Sequence, residues 1–240
     1  MTMNPFCVKY VFRLPNRSHV QFDIVLDPVT LELQENTGDV KPSWTDLGFH
    51  QCPNCPLTPD LHPSCPLALG IANLLEKFDG FLSHDTVELE VVTGERRVTQ
   101  TTSVQRGVSS LMGLVIATCG CPHATFLRPM ARYHLPLSSM EETVYRATSM
   151  YLLAQYFIGK EGGAADPDLD GLRHRYSEMG IMNMAVADRI RAATKTDSSV
   201  NAIIVLDVFA KMVEIEIDES LSRIRSLFQP YLAADGIGDG

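Results

Sequence analysis

The sequence predicts an α+β fold, with an N-terminal antiparallel sheet of four or five strands and a mostly helical C-terminal half packed on it. Two patterns carry that prediction. Up to about residue 102, several short runs alternate apolar and polar residues with the period of a strand, and from residue 103 onward apolar residues return at intervals of three and four. The chain of 240 residues is 45% hydrophobic and 20% charged, an ordinary globular composition able to bury about 70% of the surface its unfolded chain exposes. It reads as one α+β domain over residues 1–232, β-rich over 1–102 and α-rich over 103–232, with a small polar tail at 233–240 that frays.

Residues 6–14 place Val8, Tyr10 and Phe12 on one side, residues 19–26 repeat the alternation, and Leu14-Pro15-Asn16-Arg17 between them reads as a hairpin turn. Asp27-Pro28 makes a further turn before Val29, Leu31 and Leu33, a candidate strand. The same period returns at Val87, Leu89 and Val91, and again near Val98 beyond a Gly94-Glu95 turn. The stretch from Gly38 to Cys65 is rich in proline, lacks periodicity and is too long to be an idle connector in a compact domain. A helix follows it, because Pro66 suits a first helical position, Leu67, Ile71, Leu74, Leu75 and Phe78 share a face, and Gly80 stands where a C-terminal cap belongs.

The second helix has Ser103 as its N-cap, Val104, Val108, Leu111, Met112 and Val115 on its apolar face, and Gly120 as its stop. Ser138 with Glu141, or Ser139 with Glu142, supplies a capping box for a third helix reaching about Ile158. The end of that helix, Tyr151 to Phe157, is apolar nearly all round, which predicts a central, buried position. Asp166-Pro167 starts a short helix, and another runs from about Asn183 to Ala193. Asp197 caps a last one, with apolar residues at threes and fours from Ile203 to Phe228.

Twenty basic against 29 acidic residues leave a formal charge of −9, which disfavours nucleic acid as a partner because phosphate attracts the opposite sign. No apolar run approaches the ~20 residues of a membrane-spanning helix. The N-terminus lacks the basic start and apolar stretch of an export signal. A cytoplasmic location with no membrane or nucleic-acid partner is the expectation.

Six cysteines carry the first candidate site. Cys52-Pro53-Asn54-Cys55 and, after nine residues, Cys65 place three thiols around the proline-rich loop, and Cys119-Gly120-Cys121-Pro122-His123 offers more ligand atoms beyond the second core helix. Clustered cysteines in an intracellular chain point to metal or thiol chemistry rather than disulfides. Tetrahedral zinc takes four soft or borderline ligands, and a C-x-x-C pair supplies two from one tight turn. A helix N-terminus at Cys65 favours its thiolate, the ligating form. The expected ligands are Cys52, Cys55, Cys65 and one of Cys121 or His62. Four of the cysteines precede proline, a dipeptide that also ends bacterial iron–sulfur runs, so an iron–sulfur cluster is the alternative cofactor. Buried core thiols are the plainer reading, and it suits cysteines on apolar faces, such as Cys7, better than cysteines beside proline in loops.

The second candidate is a run without acid. Between Glu95 and Glu141 no carboxylate occurs, yet Arg96, Arg97, Arg106, Arg128 and Arg132 do. Guanidinium forks hold carboxylate or phosphate at two points, so Arg106, Arg128 and Arg132, with His123 and His134, are expected to bind a small anion. The plainer reading makes these arginines surface partners of acids elsewhere. Asp166, Asp168, Asp170 and Gly171 resemble the opening of a calcium loop, but Ser177 stands where its bidentate glutamate belongs, and helix capping accounts for the acids. Together these features predict a zinc-binding sensor or regulatory protein with an arginine-lined anion pocket beside its cysteines. The competing reading is a metal-dependent enzyme whose anionic substrate is held by Arg128 and Arg132.

Overall fold

The computed structural model describes residues 4–14, 18–34, 41–78, 81–193 and 217–234. Strands β1 (Phe6–Arg13), β2 (His19–Leu26), β3 (Thr86–Val92) and β4 (Arg97–Ser103) form one antiparallel sheet in the order β2-β1-β3-β4. Its register sets Tyr10 opposite Phe22 and Val91, and Phe12 opposite Leu89. Side chains alternate across the pleat, so Val8, Tyr10 and Phe12 join Phe22, Ile24 and Leu26 and Val87, Leu89 and Val91 on a single buried face. The candidate strand at Val29 to Leu33 does not join the sheet. The Asp27 carboxylate accepts from the N–H of Val29 at 2.8 Å and of Thr30 at 2.7 Å, folding the chain into a capped turn, and one isolated bridge ties Leu33 to Leu26.

Helices α1 (Pro66–Lys77) and α2 (Val104–Thr118) cover the buried face with the apolar stripes expected of them. Cys65 is the N-cap of α1, and the Ser103 hydroxyl caps α2 by accepting from Arg106 N–H at 3.3 Å. Gly107 lets α2 approach the sheet. A Cβ there would stand 2.7 Å from Cε1 of Phe12, whose ring is already held edge-on by Phe22 and Phe78 at centroid distances of 6.1 and 4.9 Å. Because that ring has nowhere to retreat, Gly107→Ala is expected to destabilise the fold by about 1–2 kcal/mol, overpacking outweighing the ~1 kcal/mol gained in helix propensity. A lowered urea midpoint is the expected readout; a raised one would show that Phe12 gives way.

Beyond α2 come a short α3 (Arg128–Arg132), α4 (Met140–Lys160) and α5 (Asp170–Ala193). Of the two capping boxes available, the chain uses the second: Ser139 N–H donates to Glu142 Oε2 at 2.7 Å, and Glu142 N–H to the Ser139 hydroxyl at 3.2 Å. The central position expected for the end of α4 is not observed. Val144, Ala147, Thr148, Tyr151 and Gln155 form one buried stripe, whereas Leu152, Leu153, Tyr156, Phe157 and Ile158 are 40–55% exposed among the described residues. The short helix at Asp166 and the separate one at Asn183 are in fact the single α5. It begins later because the Asp166 carboxylate turns inward to accept from Gly171 N–H at 2.8 Å and the Tyr151 hydroxyl at 2.7 Å. Of the acids that resemble a calcium loop, those bonds account for Asp166, and Asp170 pairs with Arg173 at 3.1 Å.

Of the last expected helix, residues 197–216 lie outside the described residues, as do Gly80, Pro15 to Arg17 and the tail from residue 235. Residues 217–224 are helical, with Ile217 and Ile224 buried. No helix among the described residues is long and apolar enough to cross a membrane.

The proline-rich loop has an organiser that its own sequence does not reveal. Arg189 of α5, 2% exposed, donates from Nη1 to the carbonyls of Trp44 at 2.7 Å and Asp46 at 2.8 Å, and from Nη2 to Leu47 at 3.1 Å. Leu47 N–H donates to Pro63 O at 2.9 Å and Cys65 N–H to Thr45 O at 2.8 Å, so both ends of the loop converge on that guanidinium and on the start of α1.

Candidate functional site

A cavity of about 380 Å³ lies between α2, the 127–138 segment, α4 and α5, a volume within the range of small-molecule sites. On α2, Arg106, Ser110, Gly113 and Ala117 follow one another at fours and threes, so they line one wall while the opposite side of the helix rests on the sheet. Leu127, Met130, Ala131, Leu135 and Leu137 form the second wall, and Arg146, Tyr176, Met179 and Asn183 close the third. Most of the lining area is apolar, although about half of the lining residues carry polar groups.

Two of those groups are guanidinium cations. Arg106 Nη2 donates to Leu137 O at 3.1 Å; Arg146 Nη2 donates to the carbonyls of Met130 at 2.8 Å and Tyr133 at 3.0 Å. Neither forms an ion pair with a carboxylate among the described residues. Burial pulls the Arg146 pKa below its ordinary value. His134 is neutral: burial, with the Arg146 charge adding to it, holds its pKa down to about 3. Its Nε2 is hydrogen-bonded to the Tyr10 hydroxyl, which also meets the Ser110 hydroxyl at 3.0 Å. Burial pushes the Tyr10 and Tyr176 phenols well above their ordinary range, so both stay protonated. Asn183, 1% exposed, keeps its side-chain Nδ2 donor without a partner among the described residues.

Of the five residues expected to hold an anion, Arg106 and His134 line this cavity and the other three stand elsewhere. Arg128 pairs with Glu32 at 2.9 Å, and Arg132 lies 3.7 Å from Glu95 with its guanidinium over the Phe6 ring at 4.6 Å. His123 Nε2 is 2.8 Å from the carbonyl oxygen of Asn54, with Glu178 3.8 Å from its Nδ1. Arg146, Tyr176 and Asn183 escape sequence reasoning because they follow the acid-free run at a distance and sit in helices whose polar residues read as solvent-facing.

The cysteines form a second locus. Cys55 N–H donates to Cys52 O at 3.0 Å, closing the C-x-x-C turn, and the His123 bond to Asn54 lays the 121–123 segment against that turn. Gly120, at φ 87°, brings its backbone to Pro66, whose Cβ would lie 4.0 Å from a side chain there. Cys52, Cys55, Cys65 and Cys121 are thereby near enough for the charge of each of the other three to act on Cys121. Burial first, then those neighbours, push Cys121 up to about 12 and Cys52 to about 11, while Cys121 gains an opposing bond from His123 N–H and Cys52 the opposing charge of Arg189. Cys119 donates its thiol to Ile116 O at 3.3 Å within α2. His62 is exposed, and Cys7, on β1, is exposed rather than in the core. Among the described residues, no group of three or more His, Cys, Asp or Glu side chains stands ready-made to hold a metal ion.

Residues 8–229 match a family described as a domain of unknown function, DUF6901. No curated protein and no solved structure matches the chain.

Proposed function

The chain belongs to this DUF6901 family, whose description assigns no activity, and we propose from the cavity itself that the protein binds a small amphipathic anion and acts as a sensor or regulator. A single observation carries the reading: the guanidinium groups of Arg106 and Arg146 face an apolar cavity with no carboxylate to answer them among the described residues. Arg146 is half-buried and Arg106 exposed; a cation held partly out of water without its counter-charge is costly, and an incoming carboxylate or sulfonate supplies that charge along with charge-assisted bonds. The leucine, methionine and alanine walls take an apolar body, and the free amide donor of Asn183 adds an orienting contact.

The test uses 1-anilinonaphthalene-8-sulfonate, an aromatic anion whose fluorescence reports burial. Saturable binding at one site per chain is expected for the native protein. Arg146→Met should weaken it roughly 10- to 100-fold, the loss of a bond to a charged group of about 1.5–3 kcal/mol. Arg191→Met, removing a surface arginine paired with Asp188 at 2.7 Å, should leave it unchanged. Equal affinity in the native protein and Arg146→Met, or no saturable binding, would overturn the proposal.

A further inference from the structure

Helix α4 carries an apolar face that no other element covers among the described residues. Tyr145, Leu152, Leu153, Tyr156 and Phe157 are each 42–55% exposed, on the side away from the buried stripe of Val144, Ala147, Thr148, Tyr151 and Gln155. At roughly 200 Å² for a side chain of this size, the five leave on the order of 500 Å² of apolar surface in one patch, near the top of the range a monomer ordinarily shows. A shallow groove of about 390 Å³ runs beside it, bordered by Leu152, Tyr156, Gly159, Lys160, Ala165 and Pro167.

The exposed stripe has the same spacing from either end. Glu141, Tyr145, Ser149, Leu152, Tyr156 and Lys160 follow one another at intervals of four, four, three, four and four, so they fall along one side of the helix, and all six are exposed. The stripe begins at an acid and ends at a base. Neither forms an ion pair with another described residue: the Lys160 ammonium lies over the Tyr156 ring at 5.5 Å, and Glu141 stands in the first turn beside the Glu142 of the capping box. Turned end for end against a copy of itself, the stripe is complementary in charge and in size. Acid meets base at both ends, aromatic meets aromatic one turn further in, and the small Ser149 meets Leu152 at the middle. A parallel arrangement would instead set acid on acid and base on base.

We propose that this face is the contact of a two-fold symmetric homodimer, in which the α4 helices of two copies pack antiparallel about an axis between Ser149 and Leu152. Every pairing in a two-fold contact occurs twice, which is what a stripe of this symmetry supplies. Glu141 lies opposite the partner's Lys160, and Tyr145 opposite the partner's Tyr156, where the groove receives its ring. Two such patches face to face bury about 1,000 Å² from the five apolar side chains alone, the threshold of a specific interface before its polar rim is counted. A lipid surface fits the face less well, because Glu141 and Glu142 border it and a net charge of −9 opposes an anionic bilayer. No residue of the stripe lines the anion cavity, so the two proposals stand or fall separately.

The experiment is sedimentation of the full chain over a range of about 1–100 μM, with circular dichroism to show that each variant is folded. The native protein is expected to pass from monomer to dimer within that range. Leu152→Asp, at the axis, should weaken the dimer at least ~100-fold, and Leu61→Asp, on a loop and 79% exposed, should leave it unchanged. Glu141→Lys and Lys160→Glu should each weaken it about 10-fold by bringing like charges together twice. An equimolar mixture of those two variants should associate as tightly as the native chain, since every end pair is then of opposite sign. Should Leu152→Asp fail to fold, the mixture decides. A native chain that stays monomeric, a folded Leu152→Asp with native dimer affinity, a mixture no tighter than either variant alone, or a monomer that instead binds phosphatidylcholine–phosphatidylserine vesicles would each overturn the proposal.

Discussion

Replacing Arg189 by alanine is expected to cost about 3–5 kcal/mol, a large share of the 5–15 kcal/mol by which a domain of ordinary stability is held folded. The side chain satisfies three carbonyls, Trp44, Asp46 and Leu47, all from a loop that has neither helix nor sheet of its own to bond to over most of its length. Truncation strands those oxygens in a buried region beside Thr45 and Leu47, which are 0% and 1% exposed. Each bond from a charged donor contributes about 1.5–3 kcal/mol, and these losses overlap rather than add. Arg189→Lys should recover only part of the stability, since an ammonium cannot reach three carbonyls as the planar fork does. Urea denaturation measures the loss, and limited proteolysis between residues 41 and 65 shows whether the loop is released first. A change below about 1 kcal/mol would mean the loop is held by other contacts.

Acidification is the second large effect, and His134 is its main source. A buried imidazole whose pKa falls from 6.5 to about 3 on folding is neutral in the native state at pH 7. The unfolded chain takes up a proton first as the pH drops, so the stabilisation is fully present above pH 6.5 and is lost as the pH falls toward 3. Complete burial would make the loss on the order of 5 kcal/mol; the ring is partly open to the cavity, and screening there reduces it to about 2–3 kcal/mol. The Asp166 carboxylate acts in the same direction but lower. Bonds from Gly171 N–H and the Tyr151 hydroxyl hold its pKa below the ordinary 3.8, so its contribution is present above that value and disappears only as the pH drops through the folded pKa. The interval between pH 6.5 and 4.5 therefore belongs to histidine. Urea midpoints should fall across it in the native protein and much less in His134→Gln; equal slopes would assign the acid sensitivity elsewhere.

The parts of the fold legible in the sequence are those set by local rules. Strand alternation gave the sheet's buried face, and Ser103, Ser139 with Glu142, and Pro66 marked where helices begin. Two misreadings have a common physical origin. The end of α4 is apolar on every side, but a helix buries only the faces that other elements reach, and only the stripe through Val144 and Tyr151 is reached among the described residues. In α5 the apolar residues Leu172, Tyr176, Met179, Met182 and Val186 do keep helical spacing, yet Gly171 and Gly180 and a run of charges mask it. The site was half legible. An acid-free run containing Arg106 and His134 could be seen directly, whereas pairing it with Arg146 and Asn183 depends on how α4 and α5 pack. Arg189 left no signal at all, because its partners are backbone oxygens more than 140 residues away in the chain.

Helix α2 has the properties of a lever. It is a stiff rod roughly 22 Å long at ~1.5 Å per residue, seated on Phe12 at Gly107 and on α1 near Val115, where a Cβ at Gly70 would stand only 3.1 Å away. It carries the cavity wall along most of its length, from Arg106 to Ala117, and its far end runs into Cys119 and Cys121. Both contacts are close-packed, and were cavity occupancy to influence the cysteine turn, the influence would be returned with equal free energy in the opposite direction.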